Sequence, residues 1–65
     1  MSYEEKIETI LGNKLEYNGD NDKGIADVKT WLYCEWQCGM IEEMSELSRL
    51  LKVVDDIAEK IIKNL

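Results

Sequence analysis

From Ile25 to Leu65 apolar residues return every three or four positions, the rhythm of a helix that buries one side. Ile25, Leu32, Trp36, Met40, Met44, Leu47, Leu51, Val54, Ala58, Ile61 and Leu65 fall on one stripe. From Met44 onward the steps alternate three and four, which is a heptad seam. Leu50, Ile57 and Ile62 widen that seam beyond what a two-stranded coiled coil uses, so a bundle of helices fits it better. The segment has no proline and one glycine, Gly39. Unbroken, it would reach about 60 Å at the helical rise of 1.5 Å per residue. That is too long for so short a chain to cover, so either the helix breaks, near Gly39 or near Val54 to Asp56, or two long helices pair between chains.

A second apolar row, Trp31, Cys34, Cys38 and Ile41, lies opposite the first in the front half of this segment. A helix apolar on two sides must be covered on two sides. The covers expected here are an N-terminal helix and a neighbouring subunit. Ser2 and Glu5 have capping-box spacing, and Tyr3, Ile7, Ile10 and Leu11 share a face, which predicts a helix within residues 1–12. Gly12 and Asn13 read as its stop. An acidic loop follows over 13–23, with Asn18-Gly19 as a turn and Asp20, Asn21 or Asp22 as the cap of the next helix. Residues 24–65 are then one long or once-broken helix. The competing reading pairs Val28–Gln37 as a strand onto Asn13–Tyr17, but a two-stranded hairpin is marginal on its own. The expected fold is all-α, a single small domain assembled as a helical-bundle dimer.

Composition supports the oligomer. A chain of 65 residues buries a modest share of its surface, and small domains add disulfides, a metal or a partner. There is no histidine and there are two cysteines, too few for a four-ligand structural zinc within one chain. The hydrophobic share of 45% is ample for a core, so the chain is not of the disordered class. Acids outnumber bases 14 to 8, giving a net charge of −6, which argues against direct nucleic-acid binding and for a protein partner with a basic surface. No segment has the roughly 20 apolar residues of a membrane span, and the acidic start is unlike a signal peptide. The expected location is cytoplasmic.

Cys34 and Cys38, four apart, share a helix face and could form half of a metal site or a redox pair; as members of an apolar row they read as small hydrophobes. Apart from Lys29, nothing basic lies nearby in sequence to lower a thiol pKa, so no nucleophile is assigned. The segment from Gly19 to Gly24 is rich in Asp and Asn but fails the EF-hand spacing, with Thr30 where a closing glutamate is needed. Trp31 and Trp36, with Met40, Met44, Leu47, Leu51, Val54 and Ile61, are the expected contacts of a dimer or partner interface.

Glu42 and Glu46 extrapolate to the polar side, whereas Glu43 falls within the apolar stripe beside Leu47 and Leu50. A carboxylate aimed into a bundle needs a pairing charge, from a divalent cation, from Arg or Lys of another helix, or from water at an edge. Gln37 to Lys52, "QCGMIEEMSELSRLLK", resembles the first core helix of the MazG-like all-α nucleotide pyrophosphohydrolases, whose EExxE motif matches Glu42, Glu43 and Glu46. The resemblance implies an oligomeric helical bundle that binds Mg²⁺ through these carboxylates and splits a nucleoside triphosphate into monophosphate and pyrophosphate. The family's second acidic motif, ExxD, lies on a following helix and usually at greater separation; this sequence offers "DDIAE", Asp55, Asp56 and Glu59, with the order of the acids reversed, and under the resemblance Glu59 joins the metal ligands. No catalytic residue is assigned. The favoured reading is a small acidic helical protein that binds a protein partner and regulates or inhibits it. A phage- or plasmid-borne mimic of nucleic acid would have this composition. The alternative is the Mg²⁺-dependent pyrophosphohydrolase.

Overall fold

The computed structural model describes residues 2–16 and 19–65, and these form three helices: α1 (Tyr3–Lys14), α2 (Asn21–Gln37) and α3 (Met44–Lys63). Each packs against both others, in a body of 35 × 18 × 17 Å. No strand occurs among the described residues, and Val28–Gln37 is helical throughout, so the hairpin alternative fails.

The N-terminus of α1 follows its sequence: Ser2 is the N-cap, and its Oγ accepts from the Glu5 N–H at 3.2 Å. Its end does not. The helix runs through Gly12 and Asn13, and the Leu15 N–H still bonds the Leu11 carbonyl at 2.9 Å. Ile7, Leu11 and Leu15, each four after the last, are all buried. Glycine inside a helix costs about 1 kcal/mol, less than the 1.5–3 kcal/mol gained by burying a leucine, so burial overrides the local stop signal. The connection is thus shorter than the expected 13–23. Asp20 is the N-cap of α2 without a side-chain cap bond, while the Asn21 Oδ1 accepts from the Glu16 N–H at 2.9 Å, tying the two helices together. Asn18, half of the expected Asn-Gly turn, lies outside the described residues.

The long segment breaks once, at Gly39, whose φ of +84° is costly for any side chain. The Met40 N–H bonds the Glu35 carbonyl and the Gly39 N–H bonds the Trp36 carbonyl, a Schellman-type ending that satisfies the last carbonyls of α2. The second candidate break, Val54 to Asp56, lies within uninterrupted α3.

The core is Ile7, Leu11 and Leu15 with Val28 and Leu32 of α2, Ile41 of the connection, and Leu47, Leu50, Val54 and Ala58 of α3. The buried line of α3 therefore includes Leu50, while Leu51, Ile57 and Ile61 flank it half-buried and Met44 and Leu65 are exposed. Leu47 and Val54, expected at an interface between chains, are sealed inside one chain. The accessible surface of 4564 Å² is close to the roughly 4300 Å² of a compact monomer of this mass. One copy covers its own core, contrary to the expectation that a second subunit is needed for it. Cys34 and Cys38 are exposed, so they are not the apolar row they were expected to join. Trp31 and Ile41 of that row do turn inward: Ile41 is buried, and Trp31 packs its ring 5.9 Å from that of Tyr3.

Candidate functional site

The turn at Gly39 places residues 40–43 in an irregular connection before α3, and this decides what the acidic motif becomes. Glu43 is the N-cap of α3, with extended φ −112° and ψ 136°. Its carboxylate accepts a long 3.5 Å hydrogen bond from the Ser45 hydroxyl and is exposed. It does not enter the apolar stripe. The physical reason is phase: helical rotation counted across residues 39–43 assumes a helix that Gly39 has already ended.

Glu42 is exposed beside it, and Glu46 stands in the first turn of α3, where the helix dipole favours a negative charge. Arg49, one helical turn further on, holds Glu46 with two bonds, Nη2 to Oε1 at 2.6 Å and Nε to Oε2 at 3.1 Å. The same Nη2 reaches the Glu4 Oε1 at 2.8 Å, so this guanidinium joins α3 to the first turn of α1. The hydrogen bond from Arg49 lowers the Glu46 pKa, outweighing a smaller desolvation that raises it. Partial burial, then the charges of Glu35 and Glu46, raise that of Tyr3. The Lys6 ammonium lies 5.6 Å from the Tyr3 ring centre.

Tyr3, Met40, Ile41, Glu42, Glu43 and Glu46 line a shallow depression of about 350 Å³ at this end. Met40 is 68% and Met44 55% exposed, large apolar side chains standing in water among carboxylates. Methionine is flexible and polarizable and serves adaptable binding surfaces. Arg49 is engaged by Glu4 and Glu46, and among the described residues no ion pair involves Glu42 or Glu43. Chemically, this end offers a soft apolar contact ringed by negative charge.

The metal-ligand set inferred from the resemblance is not brought together. Glu46 and Glu59 both lie on α3, 13 positions apart and so about 20 Å along its axis by the helical rise. Glu59 pairs instead with Lys63 at 3.0 Å. Among the described residues no three His, Cys, Asp or Glu side chains are grouped to hold an ion. Of the expected interface residues, Met40 and Met44 stand out from the surface, Trp31, Trp36, Leu51 and Ile61 are half-buried, and Leu47 and Val54 belong to the core. Sequence reasoning missed Arg49 and Tyr3 as parts of this end. Arg49 had a signal, being the chain's one arginine and three residues after Glu46. Among the described residues no helix is long and apolar enough to cross a membrane. No family model, curated protein or solved structure matches the chain.

Proposed function

We propose that this chain is a cytoplasmic interaction protein that binds a protein partner through its acidic, methionine-bearing end and regulates or blocks it. The exposure of Met40 and Met44 beside Glu42 and Glu43 carries the reading. Neither methionine is needed to close the core, and an exposed apolar pair with a charged rim is the make-up of a recognition surface. The partner surface that fits is basic, with an apolar side chain at its centre. Opposite charge speeds encounter, and contact with the methionines slows release. A basic nucleic-acid site on an enzyme is one such surface, which keeps inhibition by mimicry within this reading.

The test is affinity capture from the native host's extract with the wild-type chain and with Glu42→Lys/Glu43→Lys. A protein retained by the wild type, released as salt is raised and lost with the double variant is the expected result; equal retention by both would overturn the assignment of this end. Mg²⁺-dependent release of pyrophosphate from nucleoside triphosphates, abolished in Glu43→Gln, would put the hydrolase in its place.

A further inference from the structure

Cys34 and Cys38 are both free thiols, and both are exposed on the side of α2 away from Leu32. Free cysteine is among the most buried residue types, so two on one solvent-facing turn require an explanation. The helix is intact between them, with the Cys38 N–H bonded to the Cys34 carbonyl at 2.9 Å. Residues four apart on a helix have Cβ atoms about 5–6 Å from each other. A disulfide needs about 3.5–4.5 Å, so this pair cannot close one without unwinding the end of α2. Two sulfurs on one tetrahedral ion, at about 2.3 Å from the metal, stand about 3.8 Å apart, and the two C–S bonds make up the difference. The spacing suits chelation of a thiophilic cation and excludes the internal disulfide.

The surroundings point to what completes the site. A tetrahedral zinc takes four ligands and this turn supplies two. From Thr30 to Ile41 the sequence carries a single charged residue, Glu35, in a chain that is 34% charged. Glu35 is half-buried, stands one helical turn before Cys38, and its charge acts on Tyr3. Thr30, Tyr33 and Gln37, which border the thiols, are exposed and uncharged. The chain has no histidine and no third cysteine, so two further sulfurs for one ion come from a second copy.

We propose that Cys34 and Cys38 of two copies together hold one Zn²⁺ in a Cys₄ site that joins the chains into a two-fold dimer. Each of the four thiols gives up its proton to solvent and donates a sulfur lone pair to the metal, so one zinc displaces four protons and nothing is oxidised. This proposal does not depend on the partner-binding reading.

The reduced full chain is titrated anaerobically with Zn²⁺ while light scattering reports mass, and with Cd²⁺ while the thiolate-to-metal absorption band reports sulfur ligation. The expected result is a doubling of mass complete at half an equivalent of zinc per chain. Cys34→Ser and Cys38→Ser should each weaken zinc binding by more than about 100-fold, since losing even a supporting contact around a metal costs 10–100-fold, and should leave the chain monomeric with unchanged helicity. Zinc bound one per chain without a change of mass, no zinc binding, or a dimer equally present in the metal-free chain or in the serine variants would each overturn the proposal.

Discussion

Met44 and Leu47 stand one helical turn apart at the start of α3, on the same stripe of the sequence, and meet opposite fates: Leu47 is 1% exposed and Met44 55%. Leu47 is closed in because α1 and α2 both pack against α3. Met44 lies in the first turn of α3, next to the irregular connection that Gly39 creates, and its neighbours Glu42, Glu43 and Ser45 are exposed. The difference teaches that an apolar position on a periodic stripe can serve the fold or stand ready for something else, and the helix ends decide which. The inner part of the stripe holds this small domain together. The outer part is the surface assigned here to a partner.

The strongest way to break the contrast is to put charge at the inner position. Leu47→Asp buries an unpaired carboxylate, a change that typically costs 3–5 kcal/mol. Marginal domains have about 5 kcal/mol to lose, so loss of helical circular dichroism is expected at 25 °C. Retained folding would mean that Leu47 is not a core residue. A milder break removes the tie between α3 and α1. Arg49→Ala should lower the melting temperature less than Leu47→Asp does. Because Glu46 has a lowered pKa in the folded chain, its contribution is present above the ordinary value of 4.5 and is lost as pH falls through the lowered one. The wild type should therefore lose stability in that acid range, and Arg49→Ala should show a smaller loss there in thermal melts taken from pH 6 to pH 3.

Much of the fold was legible. The capping residue Ser2, the face formed by Tyr3, Ile7 and Leu11, and Gly39 as one of two candidate breaking points are local statements, and local chemistry decides them. Leu15 was not legible, because Gly12-Asn13 has the chemistry of a stop and only burial between α1 and α2 overrules it. Nor was the inward turn of Leu50 in place of Leu51: a broad stripe says that a helix is covered, and the neighbouring helices decide along which line. Cys34 fell on an apolar row by counting alone, since a thiol reads as a hydrophobe until its neighbours are placed. The site was the least legible part. Glu43 was carried into the stripe by a rotation that Gly39 interrupts, and the link from Arg49 to Glu4 spans 45 residues of sequence, which no local pattern reports.

The smallest effect on stability should come from the outer position, and there the account is tested most directly. Met40→Ser/Met44→Ser removes two exposed side chains, which are expected to change stability by no more than about 0.5 kcal/mol, and is compared with the wild type in capture from host extract. The account predicts a melting curve close to the wild type's together with loss of the captured protein. A variant that stays folded and retains the same protein at equal yield would contradict it.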